Sequence, residues 1–183
     1  MLNDNARGYG LVTIVLHWVC ALVVVFLFAL GLYMTSLSYY DDWYHKGPSL
    51  HVSVGLILLA LMVLRLLWRI FSRTPDPLPE HSLLIRLGAS AVKIILYALI
   101  FTVMASGYLI TTAEGSAPSI FGLLSFPVLI ELGPDKVDLA GWVHLVFAWA
   151  IIVFASLHAL AAMSHHFLIR DRTLIRILKP VKK

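Results

Sequence analysis

The sequence predicts an all-α integral membrane protein, a bundle of four transmembrane helices, and three observations carry that expectation. Composition is the first: 60% of the 183 residues are hydrophobic and 13% are charged, about half the charged share of an ordinary soluble domain. A water-soluble fold built from these residues would lack the polar surface to cover itself. Arrangement is the second, because the apolar residues fall in long blocks, and a run of roughly 18 or more with few charges is long enough to cross the hydrocarbon core as a helix. The third is the distribution of basic residues, which changes from one connection to the next.

The spans are expected at about 11–36, 50–72, 90–112 and 139–167. The first resembles a signal peptide only superficially. Its apolar run from Leu11 to Met34 exceeds a typical h-region and no Ala-x-Ala-like cleavage site follows, so it reads as a retained helix. Segments rich in Pro, Gly, Asp and Ser separate the spans, for example Thr74-Pro75-Asp76-Pro77. The connection at about 113–138 contains Phe121-Gly122-Leu123-Leu124-Ser125-Phe126-Pro127, which is apolar but too interrupted to span, and is expected to cap the bundle at the interface. With no internal repeat and no linker, residues 1–183 are expected to form one transmembrane domain.

Lys and Arg accumulate on the cytoplasmic side of membrane proteins. Arg7, Arg65, Arg69, Arg73, Arg86, Lys93, Arg170, Arg172, Arg176, Lys179, Lys182 and Lys183 fall on the side of the termini and the middle connection, and only Lys46 and Lys136 fall opposite. Both termini are therefore expected in the cytoplasm, with the first and third connections outside, periplasmic if the membrane is a bacterial inner membrane. The net charge of +4 is a topology signal and argues for no nucleic-acid partner. Asp41, Asp42, Glu114, Glu131, Asp135 and Asp138 make the outer connections formally acidic.

Ionisable side chains inside a bilayer cost several kcal/mol unless compensated, so an intramembrane histidine is a functional candidate. His17, His51, His144 and His158 lie in or at the edge of the spans. One alone could be satisfied by a neighbouring helix. His144 and His158, however, are fourteen residues apart on one helix, a spacing within ~40° of four whole turns and ~21 Å long. They share a face at two depths. His51 lies near the outer end of the second span and His17 near the inner end of the first, so depth pairs His51 with His144 and His17 with His158.

Two histidines meeting at each of two levels inside a bundle suit six-coordinate haem, since neutral imidazole is a good axial ligand for iron. Zinc would normally need a third or fourth protein ligand at each level, and no suitable Cys or intramembrane acid is present. Cys20 is the single cysteine and lies within the first span. Thioether attachment through Cys-x-x-Cys-His is thus excluded, and two non-covalent b-type haems are expected.

Arg65, fourteen residues after His51, falls near the depth of His158, where its cation would neutralise an inner haem propionate unless it snorkels to the headgroups as Arg69 and Arg73 are expected to do. Gly31, Gly55 and Gly107 fall where flat macrocycles would need room, although glycine in membrane helices equally permits close helix packing. His165 follows His158 by two turns and is a candidate for a quinone headgroup or its protons; His166, His45 and His81 read as interfacial or loop residues.

His17-Trp18, His51-Val52-Ser53-Val54-Gly55, Leu64-Arg65-Leu66-Leu67-Trp68-Arg69, His144, Leu157-His158-Ala159 and Ser164-His165-His166 together resemble the prokaryotic cytochrome b561 family, over about residue 8 to Pro180. That resemblance implies a four-helix dihaem cytochrome exchanging electrons with the ubiquinone pool, with His17, His51, His144 and His158 as axial ligands and His165 as a quinone-site residue. Tyr97 and Gly107 fit the family's third-helix pattern. Ser90 and Lys93 stand where family members often carry a pair of histidines, which leaves any cytoplasmic quinone or proton site undefined.

Within that family the sharpest expectation is a superoxide:ubiquinone oxidoreductase, for which the acidic outer connections are a poor electrostatic guide and Lys46, His45 and Lys136 the available local cations. The alternative is a membrane anchor and electron conduit for a separate soluble redox protein on the periplasmic side. A haem-free structural or transport protein would require the four histidines to be coincidental.

Overall fold

A computed structural model describes residues 1–113 and 115–181, apart from the side chains of Pro134 and Asp135. Of the charges assigned to either side above, Glu114, the Asp135 side chain, Lys182 and Lys183 therefore lie outside the described residues.

Four long helices dominate: α1 (Leu11–Thr35), α2 (Lys46–Phe71), α3 (Leu83–Thr112) and α4 (Pro134–Ser164). Each is long and apolar enough to cross a membrane, the last being continuous with a π-helical turn, His165–Ile169. A two-stranded antiparallel hairpin, β1 (Ser119–Ile120) and β2 (Leu124–Ser125), and a short helix α5 (Thr173–Leu178) complete the order.

Helices α2, α3 and α4 begin several residues before the apolar windows from which spans were expected. The first turns of α2 and α4 carry polar and charged residues that hydropathy passes over, whereas α3 opens on Leu83-Leu84-Ile85 and its apolar run is interrupted by Arg86 and Gly88. Gly47 and Pro48 open α2, the Ser82 hydroxyl accepts from the Ile85 amide at 3.4 Å ahead of α3, and Pro134 is the first residue of α4. Proline is tolerated in a first turn because its missing N–H would have no intrahelical partner there.

Two compact units divide the chain. The first comprises Met1–Cys20, Leu61–Tyr97 and Ile152–Lys183. Within it Asp4 is buried and accepts from the Gly10 amide at 2.6 Å and the Thr13 hydroxyl at 2.8 Å, which ties the N-terminal segment to the start of α1. Thr13 Oγ1 in turn accepts from Trp68 Nε1, and Trp18 Nε1 donates to the Ile177 carbonyl, each at 2.9 Å. These bonds consume the polar tips of two large aromatics whose rings remain apolar. Cys20 and Met62 are fully buried there.

The second unit comprises Ala21–Ala60 and Ala98–Ile151. Its connection after α3 is stitched to the helices by hydroxyls. Ser53 Oγ on α2 donates to the Ser119 carbonyl at 3.1 Å and accepts from the Phe121 amide at 3.0 Å. Tyr108 and Thr112 on α3 donate to the carbonyls of Pro127 (2.7 Å) and Ile130 (2.9 Å). Phe121 (φ 50°) and Gly122 (φ 72°) both occupy the left-handed region, and the Leu123 amide closes the turn onto the Ile120 carbonyl at 2.9 Å. Two successive positive φ values define a type I′ turn, for which glycine is the natural second residue and phenylalanine a strained first.

Candidate functional site

In the first unit α1 and α4 bring His17 and His158 together, with ring centroids 6.5 Å apart and ring planes at 67°. Helix α2 supplies Arg65, whose Nη2 lies 2.9 Å from His17 Nδ1. A guanidinium has no acceptor, so Nδ1 of His17 accepts this bond. The same guanidinium carbon stands 5.5 Å from the ring centroid of Tyr97 on α3, within cation–π range. Arg65 thus meets the histidine itself. One guanidinium nitrogen of Arg69, Nη1, is buried with no partner among the described residues.

The second unit brings His51 of α2 to His144 of α4, centroids 6.1 Å apart and planes at 62°. His144 Nδ1 lies 3.0 Å from the Val103 carbonyl and 3.2 Å from Ser106 Oγ, both on α3. A carbonyl can only accept, so Nδ1 carries the proton and Nε2 keeps its lone pair. His51 Nδ1 is buried without a partner.

The glycines divide by role. A Cβ at Gly107 would lie 3.0 Å from His144 Cε1 and 3.2 Å from its Nδ1, and one at Gly31 would lie 3.5 Å from His51 Cε1. Both glycines therefore give room to histidine rings, most tightly at Gly107. Beside Gly55 a Cβ would meet nothing within 4 Å.

With metal–nitrogen bonds of about 2 Å, and a ring nitrogen about 1 Å from its own centroid, two imidazoles facing one another across a shared metal ion have centroids about 6 Å apart. Both pairs have that separation, and both histidines of each pair are only partly exposed or less. A buried partnerless imidazole nitrogen and the open space beside Gly55 further fit a bulky, metal-centred group next to His51. His51 and Gly55, one turn apart, share a face of α2.

His165 is in neither pair. It lies in the first unit with His81 and Asp171: both imidazoles approach one carboxylate oxygen, His81 Nε2 at 2.9 Å and His165 Nδ1 in still closer contact, and the two rings are 4.9 Å apart. Burial pushes the Asp171 carboxyl up, but hydrogen bonds from His81, Thr173 and His165 outweigh it and hold the group well below the usual carboxylate range. Neither His81 nor Asp171 was singled out from sequence. The available signal was one acid among Arg170, Arg172 and Arg176. His45 is surrounded by aromatic rings, Tyr44 at 5.0 Å and Tyr39 at 6.3 Å, and His166 stands 4.8 Å from Phe167.

Four helices long and apolar enough to span a membrane, carrying two pairs of neighbouring imidazoles, define a class of protein: an integral membrane helical bundle with paired intramembrane histidines. The chain belongs to the prokaryotic cytochrome b561 family, which it matches over residues 8–180. It is 44% identical to Cytochrome b561 homolog 2 of Escherichia coli strain K12 over 176 residues, 96% of this chain and 94% of that protein. It is also 29% identical to the Probable superoxide oxidase CybB of Yersinia pestis, over 94% of this chain and 96% of that one, and 29% identical to Cytochrome b562 of Cereibacter sphaeroides. Family membership makes the chain a bacterial membrane cytochrome that binds b-type haem, contacts lipid and transfers electrons.

Proposed function

We propose that the chain is a dihaem cytochrome b of the inner membrane that passes electrons from the periplasmic side to ubiquinone, with superoxide as the donor. The observation that carries the dihaem reading is the pair of imidazole separations, 6.5 Å for His17/His158 and 6.1 Å for His51/His144. In this reading those four histidines would hold the two irons through ring nitrogens, His17 with the Arg65 guanidinium turned off its ring, since a neutral imidazole that accepts at Nδ1 keeps its proton on Nε2; no covalent attachment exists because Cys20 is the single cysteine. Bound haem supplies one-electron oxidation and reduction at each level.

The chain's own residues set the conditions for that chemistry. His144, with its Nδ1 proton committed to Val103, presents Nε2 as the donor atom, and the hydrogen bond fixes the ring's rotation. Arg65 holds a positive charge against His17, which favours the electron-rich state of the group bound there.

Orientation rests on the basic residues, which favour both termini in the cytoplasm and the His51/His144 pair nearer the outside. Superoxide, losing one electron, leaves as dioxygen; two electrons with two protons from the inner side convert ubiquinone to ubiquinol. Similarity along nearly the whole chain to a protein named as a probable superoxide oxidase supports superoxide as donor. Stopped-flow mixing of the oxidised, haem-loaded protein with a superoxide pulse, with and without ubiquinone, is the test. Reduction of the haems followed by ubiquinone-dependent reoxidation is expected.

A second reading is favoured by one observation, the acidity of the outer connections, where Asp41, Asp42, Glu131 and Asp138 outweigh Lys46 and Lys136. Such a surface suits docking of a basic periplasmic redox protein, with the chain as its membrane anchor and conduit. Failure of superoxide to reduce the haems at any salt concentration would reject the oxidase and favour this conduit.

A further inference from the structure

We propose that His81, His165 and Asp171 form a binding site for a divalent first-row cation of the zinc class, separate from both histidine pairs. The three residues come from three segments: the connection before α3, the π-helical turn that ends α4, and the bend that follows it. Their donor atoms all lie within 4.8 Å of one another. Around a tetrahedral ion with bonds of about 2 Å, donor atoms stand roughly 3.3 Å apart, so both contacts onto Asp171 Oδ2, 2.9 Å from His81 Nε2 and shorter still from His165 Nδ1, would open by several tenths of an ångström around an entering ion.

Local geometry is arranged to produce this convergence. The π turn and the left-handed Arg170 (φ 62°) depart from regular helix and return the chain so that the Asp171 amide bonds the His165 carbonyl at 3.0 Å. Single π turns recur at functional sites because they re-aim side chains. The second Asp171 oxygen accepts from the Thr173 amide at 2.8 Å, an outer contact that orients the carboxylate while leaving Oδ2 to the imidazoles. His81 is held from behind, its carbonyl accepting from Arg86 Nε at 2.9 Å.

A latch between two segments would need one imidazole on the carboxylate. Here two imidazoles converge on a single oxygen, with side chains 15%, 16% and 5% exposed for His81, His165 and Asp171. Two imidazoles and one carboxylate are a donor set that zinc and its neighbours accept with a position left for water, and that magnesium and calcium, which prefer oxygen, do not. Thr173 Oγ1 lies 3.4 Å from His81 Nε2 and adds a further polar group beside the site.

The test uses the haem-loaded protein in detergent, equilibrated with zinc chloride, desalted, and analysed for zinc and iron per chain. Wild type is expected to retain one zinc beyond its iron, and to take up none of a matched magnesium load. His81→Gln and Asp171→Asn should weaken zinc retention at least as much as the roughly 10–100-fold loss that disturbing outer contacts alone causes, with iron per chain unchanged; His45→Ala should retain zinc. Absence of bound zinc in wild type, or equal retention in both cluster variants, overturns the proposal. Should a variant also lose iron, zinc-edge X-ray absorption of the wild-type protein decides: two imidazoles with oxygen support the site, whereas sulfur or a third imidazole overturns it. Iron content reports the dihaem reading separately, so the two proposals fail independently.

Discussion

Nη2 of Arg65 donates to Nδ1 of His17 across 2.9 Å, so the two histidine pairs differ in polarity: His17 accepts from a cation where His144 gives its proton to the carbonyl of Val103. A cation raises the reduction potential of a nearby redox centre by favouring its reduced, less positive state. Arg65→Gln should therefore lower the midpoint of one haem on the order of 100 mV, the effect of a unit charge about 7 Å away at an effective dielectric of about 20. A spectroelectrochemical titration checks this. Equal shifts in both haems, or none, would contradict the assignment of Arg65 to the His17/His158 pair.

Two pairs imply two haems b for each chain, and a single cysteine implies that both leave the protein in acidified organic solvent. A pyridine haemochrome count near two, with a colourless extracted polypeptide, is the expected result. A ratio near one would mean that one pair is not a haem site.

Replacing a ligand should remove the haem of its pair and leave the other. His51→Ala and His144→Ala are expected to give the same residual spectrum and midpoint, and His17→Ala and His158→Ala the complementary ones. Matching spectra from the His51 and His158 variants would break the pairing.

Gly107→Ala tests the tightest contact. Its new methyl group would lie 3.0 Å from His144 Cε1, and overpacking of this kind typically costs 1–3 kcal/mol. The variant should lose occupancy of the His51/His144 haem selectively, whereas Gly88→Ala, whose Cβ meets nothing within 4 Å, should keep both. Quantifying haem per chain separates the two.

Acidic outer connections predict that superoxide reduction accelerates with ionic strength, because salt screens exposed charges beyond about 10 Å at 0.1 M. Lys46→Glu and Lys136→Glu should each slow the reaction at low salt if that lysine guides the anion. Rates that fall with added salt would reveal net attraction.

The number of membrane-spanning helices was legible in the sequence because it follows from a local rule, the length of an apolar run. The pairing of His51 with His144 and of His17 with His158 was expected from their positions along the spans, and those rings lie 6.1 and 6.5 Å apart. Helices α2 and α4 start before their apolar windows because helical hydrogen bonding extends into the polar turns ahead of them, and α3 does so because Arg86 and Gly88 interrupt an apolar run that already begins at Leu83.

What tertiary structure alone decided is which polar atoms meet. From sequence Arg65 has a depth, with an inner haem propionate or the headgroups as its expected partner; a flexible guanidinium reaches several groups at one level, and the fold places it against His17 and Tyr97. Gly107 was marked as small, but its approach to His144 depends on how α3 faces α4. His81, expected as a loop residue, is ninety residues from Asp171, of which the sequence suggested nothing; a π turn and one left-handed residue place Asp171 beside His165, and His81 meets the same carboxylate. Spacing rules describe residues on one helix, whereas that cluster exists because three segments with no common periodicity converge.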